Sequence, residues 1–211
     1  PKFGVGDAIE YGIAINSLFQ NKKFNKISIA FTGDHHYLFE KFFYFVDIYP
    51  IIISHEELSN FDTIFHITLE IKALKYQKYK RSNIAEEICK YFKAPLIDYK
   101  KEITNVKKDD IKTISIFPVS TSPIRSMPLN ILEEIIKTFN SKYKIKIIFD
   151  NSDHSKYLLK NIKNNKNNKI VLLNPKNIES LILEISKTNF GIFVDSGPIH
   201  IAKCYNINGI F

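Results

Sequence analysis

The sequence predicts an α/β protein built on parallel sheets, and three observations support that prediction. Short apolar segments alternate with segments of helical periodicity along the chain, most regularly in its second half. The later strands of that half are mostly apolar and separated by helices, as is typical of a parallel sheet covered on both faces. The apolar run Phe190–Val194 then breaks into a small-residue turn that leads into a helix. We therefore expect ligands beyond the carboxyl ends of the strands.

The first half of the chain shows a helical period and two strand patterns. In Asp7–Gln20, apolar residues recur at Ile9, Ile13, Ala14 and Leu18 with polar residues between them, which predicts a helix. The other predicted elements are a strand over Lys26–Phe31, a helix over Tyr37–Phe45, a strand over Thr63–Leu69, a basic aromatic loop over Tyr76–Arg81 and a helix over Asn83–Phe92.

A charged segment, Asp98–Asp110, follows and is poor in packing residues, which is typical of a connection between domains. We therefore predict one domain at residues 1–100, a linker at 101–110 and a second domain at 111–211. The strand Ile111–Phe117 opens the second domain, and its alternation places it nearer a sheet edge. The elements predicted after it are helix Leu129–Phe139, strand Ile145–Phe149, helix Ser155–Ile162, a solvated loop over Asn161–Lys169, strand Ile170–Leu173, helix Ile178–Ser186, strand Phe190–Val194 and a helix from Pro198.

Composition sets the outer limits of function. The chain has 211 residues, 45% of them hydrophobic, which is enough to bury a sizeable core in one large or two small domains. It contains no apolar stretch of transmembrane length and no signal-peptide pattern. The formal charge of +8 is carried almost wholly by lysines spread over every segment, which favours solvated helix faces over a nucleic-acid groove. Cys89 and Cys204 lie far apart, and both are interpreted as core residues of a reducing compartment.

The turn after Phe190–Val194 is the strongest candidate for a binding site. It reads Asp195-Ser196-Gly197-Pro198-Ile199-His200, with Pro198 in the first turn of a helix, where its missing N–H costs nothing. Backbone N–H groups and the helix dipole at such a junction suit a phosphate or diphosphate. The structural alternative is that Asp195 or Ser196 merely caps the helix.

Two further motifs accompany this turn. Near the beginning, Gly4-Val5-Gly6-Asp7 places a carboxylate at the start of a helix. In the middle, the strand Ile111–Phe117 opens into the hydroxyl-rich loop 118–129, which contains Arg125, one of the two arginines of the chain. In this order the three motifs resemble those of the heptosyltransferase family, glycosyltransferase family 9. Of the three, the Asp195–His200 motif is the specific one.

The resemblance implies a GT-B-like fold of two Rossmann-like domains and transfer of a sugar from a nucleotide diphosphate sugar. It implies ADP-heptose as the donor, a lipopolysaccharide-core or related glycan as the acceptor, and inversion at the anomeric carbon. By the same resemblance the chain looks truncated at both ends. The enzyme would be bacterial and cytoplasmic, with peripheral contact at the inner membrane surface, and the positive charge would help it approach that surface.

The resemblance also assigns roles to residues. Asp7 matches the general base that takes the proton of the acceptor hydroxyl, and Arg125 matches a basic residue that holds the donor diphosphate. Asp195 would order the last turn. The other implied donor-binding residues are Gly4, Gly6, Ser120, Thr121, Asp153, Ser196, Gly197 and His200.

Each of these residues also has a purely structural interpretation. Asp7 could be a helix cap, Arg125 a surface residue, and Ser120 and Thr121 ordinary loop residues. Asp153, the match for an acidic residue that binds the donor ribose, could cap the next helix, and Asp150 or Asn151 could take its place. His200, as a single histidine, could be structural.

Other classes of protein are disfavoured. A dinucleotide-binding fingerprint needs a third glycine where Ile9 stands, and no P-loop, G-x-S-x-G motif or Cys/His nucleophile pair is present. The sequence has no D-x-D motif, so we expect a metal-independent enzyme without a cofactor, in which Arg125 and the helix N-terminus meet the leaving-group charge. Two alternatives stay open, a non-catalytic nucleotide-sugar-binding remnant and a nucleotide-sugar epimerase.

Overall fold

The computed structural model describes residues 4–30, 35–66, 83–100, 111–162 and 169–211. Contacts divide the chain into two compact units, Pro1–Tyr99 and Lys100–Phe211, a division that falls close to the predicted domain boundary. The predicted basic loop Tyr76–Arg81, the linker 101–110 and most of the loop Asn161–Lys169 lie outside the described residues.

The first unit combines helices with a small parallel sheet. Its elements are α1 (Val5–Gln20), β1 (Ser28–Ala30), α2 (His36–Phe42), β2 (Asp47–Tyr49), α3 (His55–Leu58) and α4 (Ile84–Tyr91). β1 and β2 pair in parallel with Ile29 opposite Ile48. Helix α1 packs against α4 and α2. Gly12 permits close approach at this core, because a Cβ atom there would lie 2.0 Å from the ring of buried Phe43.

One predicted strand of this unit is wrong in its described part. Thr63–Leu69 was expected to be extended in a sheet, but residues 63–66 form no strand, and 67–69 lie outside the described residues. Phe65 instead packs edge-on against Phe92, with ring centroids 4.7 Å apart. The observed partner of β1 is β2, which has only three residues and ends before Pro50, too short to give a periodic signal.

The second unit is an α/β layer built on five parallel strands. Its elements are β3 (Thr113–Phe117), a 3₁₀ turn (Pro123–Arg125), α5 (Leu129–Phe139), β4 (Lys144–Ile148), α6 (Asp153–Ile162), β5 (Ile170–Leu173), α7 (Ile178–Ser186), β6 (Phe190–Phe193), α8 (Gly197–Cys204) and β7 (Asn208–Ile210). The strand order is β5-β4-β3-β6-β7. The prediction of a parallel sheet separated by helices is therefore confirmed here, with element boundaries shifted by no more than about two residues.

One buried cluster of this unit lies between the sheet and helices α5 and α6. Ile116 and Ile147 pair in register and are fully buried, and Leu132 of α5 and Leu158 of α6 belong to the same buried cluster. Burial of each such side chain stabilises the fold by about 1.5–3 kcal/mol. On the other face, α7 packs against α8.

The expectation that the strand from Ile111 lies near an edge is wrong. β3 is the central strand, paired with β4 on one side and β6 on the other. Its polar residue Ser115 is 1% exposed, and its hydroxyl accepts a hydrogen bond of 3.1 Å from buried Thr188. The alternation of β3 thus reflects a satisfied buried hydroxyl and not contact with water.

Both cysteines, Cys89 and Cys204, are buried and unbridged, as predicted. Burial raises the pKa of the Cys89 thiol, which keeps it protonated and unreactive. Within the described ranges, no helix is both long enough and apolar enough to cross a bilayer.

Candidate functional site

The candidate site lies at the carboxyl edge of the second unit's sheet. β3 and β6 are neighbours and end in register, Phe117 opposite Phe193. The Val194 N–H donates to the carbonyl of Phe117 over 3.3 Å, so the pairing extends past the last strand residue. The sequence places the Arg125 loop after one strand and Asp195–His200 after the other, and the topology brings the two motifs side by side.

Hydroxyl groups hold the loop after β3 in a closed shape. The Ser120 N–H donates to the Ser126 hydroxyl (2.9 Å), which itself lies 3.3 Å from the carbonyls of Ser120 and Ser122. The Met127 N–H donates to the carbonyl of Pro118 over 2.8 Å and ties the two ends of the loop together. Ser120 and Ser126 are both buried. The shape of the loop is therefore set from inside.

Two contacts join this loop to the turn after β6. The Ser120 hydroxyl donates to the backbone carbonyl of Asp195 over 3.1 Å. Arg125 Nη1 donates to Asp195 Oδ2, also at 3.1 Å, in an ion pair whose side chains are 47% and 72% exposed. Arg125 is thus held beside the turn with an accessible guanidinium, the charge and the donor geometry that a phosphate group requires.

Ser120 has a different role from the one expected. Its hydroxyl has one proton, which it already donates to the Asp195 carbonyl, and the residue is 5% exposed. We therefore interpret Ser120 as a positioning residue that fixes the two loops. Thr121, by contrast, is exposed at the loop surface, where its hydroxyl can reach a ligand.

The turn after β6 presents the beginning of α8. Ser196 is the N-cap residue, but its side chain makes no capping hydrogen bond, and its hydroxyl donates to the carbonyl of Val194 (3.2 Å). The capping interpretation of Asp195 and Ser196 is therefore wrong. The Asp195 carboxylate bonds Arg125, and its expected role in ordering the turn stays a prediction. Gly197 and Pro198 form the first two helical residues, and His200 follows in the same turn.

The acidic residues after β4 divide into a structural and an exposed one. Burial raises the pKa of Asp150, but hydrogen bonds from Ser152, Ser155 and the backbone outweigh it, so the net pKa lies below the usual value. Asp150 Oδ1 accepts from both hydroxyls at 2.5 Å and anchors the start of α6. Asp153 is the first residue of α6, and its side chain is 97% exposed and paired with Lys156 at 2.7 Å. Asp153 therefore remains the more accessible of the two carboxylates.

Asn151, the third alternative for ribose binding, bridges two strand ends. Its side-chain oxygen accepts from Asn174 over 2.7 Å, which links the loop after β4 to the loop after β5. This contact gives Asn151 a structural role.

In the first unit, Asp7 lies in the first turn of α1 and not at its cap. Gly4 is the N-cap residue, and its N–H donates to Asp7 Oδ2 over 3.2 Å. Gly4 has φ −72° and ψ 162°, extended values that any residue adopts, so the tight glycine turn expected here is not needed. Gly6 is a helical residue. Asp7 is partly exposed.

Sequence reasoning missed two features of the site. Ser126 lies in the hydroxyl-rich loop 118–129 but was assigned no role, and the run of hydroxyl residues around one arginine was the signal that could have marked it. The Arg125–Asp195 pair was also missed, because the sequence alone does not show that β3 and β6 are adjacent. Across the ranges that the structure describes, no group of three or more His, Cys, Asp or Glu residues could hold a metal ion.

Comparison with solved structures identifies the fold. Heptosyltransferase WaaC of E. coli, solved with ADP-2-deoxy-2-fluoro heptose, superposes with a TM-score of 0.65 at 12% identity, covering 99% of this chain and 85% of that one. A glycosyl transferase family 9 protein from Veillonella parvula DSM 2008 gives 0.61 at 12% identity, covering 95% and 75%. ADP-heptose lps heptosyltransferase II of E. coli gives 0.57 at 12% identity, covering 95% and 79%.

These similarities confirm the α/β, GT-B-like fold and, at the level of the fold, the resemblance to heptosyltransferases. No protein-family model and no curated protein matches the sequence.

Proposed function

We propose that the protein is a glycosyltransferase that moves a heptose-like sugar from a nucleotide diphosphate sugar to a glycan acceptor. The observation that carries the proposal is the joined pair of loops at the carboxyl ends of β3 and β6. They place the Arg125 guanidinium beside the uncapped start of α8. Guanidinium groups and helix N-termini both favour phosphate oxygens, and the fold is shared with heptosyltransferases.

ADP-heptose is the proposed donor and a lipopolysaccharide-core or related glycan the proposed acceptor. Heptosyltransferase WaaC has been solved with ADP and with an ADP-heptose analogue, which supports an ADP-linked donor for a chain of the same fold. We place the enzyme in the cytoplasm, in contact with the inner membrane surface through its acceptor.

In the proposed reaction, the acceptor oxygen attacks the anomeric carbon from the face opposite the diphosphate. The new C–O bond forms as the bond between that carbon and the phosphate oxygen breaks, and the bonding pair leaves with the diphosphate. Asp7 takes the acceptor proton, and inversion follows from the opposite-face attack. Arg125 and the N-terminal amides of α8 stabilise the charge of the departing diphosphate, so the proposed step uses no metal ion.

Ligand binding and transfer are tested separately. ADP at about 100 times its dissociation constant should add about 2.7 kcal/mol to the free energy of unfolding, detected as a thermal shift. Release of ADP from ADP-heptose should then depend on a lipopolysaccharide-core acceptor.

The two assays also decide between the alternatives. Binding of ADP-heptose with no release of ADP in the presence of any acceptor would favour the nucleotide-sugar-binding remnant. Conversion of the donor in the absence of an acceptor would favour an epimerase. Absence of any thermal shift with ADP and with ADP-heptose would contradict the proposal itself.

A further inference from the structure

We propose that the Asp195 carboxylate competes with the diphosphate for Arg125. This competition weakens binding of the free nucleoside diphosphate and so promotes product release. The inference rests on the proposed function and goes beyond it. It starts from one contact: the guanidinium expected to bind the diphosphate is already paired with a carboxylate, Nη1 to Oδ2 at 3.1 Å.

The backbone that carries the Asp195 carboxylate is held in place by the fold. The backbone carbonyl of Asp195 accepts the Ser120 hydroxyl at 3.1 Å, and the extended pairing at Val194 fixes the residue before it. Ser120 is in turn bonded to Ser126 within the closed loop. The backbone at both ends of the ion pair is therefore anchored, and a ligand phosphate that reaches Arg125 must approach the Asp195 carboxylate as well.

The geometry of the pair leaves room for such a ligand. The contact uses one guanidinium nitrogen and one carboxylate oxygen, and a guanidinium has five N–H donors. A phosphate oxygen can therefore bind Arg125 while Asp195 stays nearby. Both side chains are substantially exposed, so water and salt screen the repulsion but do not remove it.

The repulsion is larger for product than for donor. In a nucleotide diphosphate sugar each phosphate is esterified and carries one negative charge. After transfer the terminal phosphate keeps only its anhydride link to the inner phosphate and has a second ionisation near pH 6, so at neutral pH it carries about 1.5–2 negative charges. A fixed carboxylate beside the site therefore opposes ADP more strongly than the sugar-linked donor.

The test compares binding of ADP and ADP-glucose to the full chain and to Asp195→Asn by calorimetric titration. The amide keeps the size of the side chain and the backbone carbonyl that Ser120 binds, and an exposed ion pair contributes little to folding, so the variant should fold. We expect Asp195→Asn to bind ADP roughly threefold to tenfold more tightly. The gain for ADP-glucose should be smaller by at least about a factor of two.

Glu133→Gln is the matched control, because it removes one exposed negative charge from α5 of the same unit without touching the two loops. It should leave both affinities unchanged. If Asp195→Ser gives the same result as Asp195→Asn, the effect is due to the lost charge and not to the amide.

Weaker ADP binding by both Asp195 variants would overturn the inference and make Asp195 an aid to Arg125, and equal binding would overturn it by showing that the carboxylate has no effect; either result leaves the proposed function intact. Equal gains for ADP and ADP-glucose would overturn the link to product release. If the parent chain binds neither ligand, the proposed function fails and the inference fails with it.

Discussion

At the residue scale, Arg125 shows how a surface charge can be important for binding and unimportant for folding. Its ion pair with Asp195 is about half exposed, and exposed pairs contribute at most about 1 kcal/mol to stability. A charge-assisted hydrogen bond to a phosphate, formed in a site shaped to receive it, is worth more.

Arg125→Ala should therefore weaken ADP binding by about 1.5–3 kcal/mol, which corresponds to roughly 10- to 150-fold in the dissociation constant. The melting temperature of the free protein should barely change, because the pair is exposed. Calorimetric titration measures the first quantity and thermal denaturation the second. Lys137→Ala, which removes an exposed cation from α5, is the control. Equal affinities of parent and Arg125→Ala would remove Arg125 from the site.

Asp7 is the second residue whose proposed role can be separated from its structural one. Its carboxylate accepts the Gly4 N–H at the beginning of α1, a bond that an amide oxygen can also accept. Asp7→Asn should thus preserve the helix and donor affinity while slowing sugar transfer by roughly 10²–10⁴-fold, the usual effect of losing a general base.

Acceptor-dependent release of ADP measures that rate, and circular dichroism checks the fold. Glu133→Gln again serves as the control, since it changes an exposed carboxylate on α5 to an amide. Transfer by Asp7→Asn at the parent's rate would refute the assignment of the base.

At the element scale, the loop after β3 behaves as a structural unit whose interior is polar. Ser126 is 7% exposed, accepts the Ser120 N–H and contacts two carbonyls of the same loop. Ser126→Ala leaves a buried N–H without this acceptor, which should cost about 1–3 kcal/mol in the free energy of unfolding. Urea denaturation measures it. ADP affinity should fall as well, although the hydroxyl is buried within the loop, because the loop no longer holds Arg125 beside Asp195.

A matched control sharpens that experiment. Ser186→Ala alters a hydroxyl at the exposed end of α7, bonded to the carbonyl of Leu183, and should cost less stability and no ADP affinity. Unchanged ADP affinity in a folded Ser126→Ala protein would mean that the loop's interior does not position the site.

The start of α8 supports a prediction in which a substitution impairs ligand binding more than folding. Gly197 is the first residue of the helix, in the turn proposed to receive the diphosphate. Gly197→Val should impair ADP binding more than folding, since its side chain would occupy the space through which phosphate oxygens approach the amides. Gly191→Ala is a useful contrast, because its Cβ would lie 2.1 Å from the Phe193 ring and should destabilise the sheet. Normal ADP binding by Gly197→Val would place the phosphate site elsewhere.

The sequence predicted the elements of the second unit well because their signals are local. Apolar strands, amphipathic helices and a proline at the start of α8 mark their own positions. The central position of β3 could not be predicted, because Ser115 looks exposed until Thr188, 73 residues away in sequence, is seen to donate to it. The direct contact between the Arg125 loop and the Asp195 turn could not be predicted either, because it depends on strand order and register, which arise only in the folded sheet. In the first unit, β2 is a three-residue strand with no periodicity to detect.

At the scale of the whole molecule, the chain consists of two compact units with separate cores. Domains with their own cores can unfold separately, and a ligand stabilises only the unit that binds it. Most of the proposed donor-binding residues belong to the second unit, and the proposed base belongs to the first.

Differential scanning calorimetry of the full chain should therefore show two transitions, of which ADP raises one. Ser126→Ala identifies the transition of the second unit, because it weakens that unit alone and should lower only its melting temperature. We expect ADP at about 100 times its dissociation constant to raise the same transition, by about 2.7 kcal/mol in the free energy of unfolding. The first unit's transition should stay where it was. A nucleotide-induced shift of the transition that Ser126→Ala leaves unchanged would instead place the main nucleotide contacts in the first unit and would contradict the proposed site.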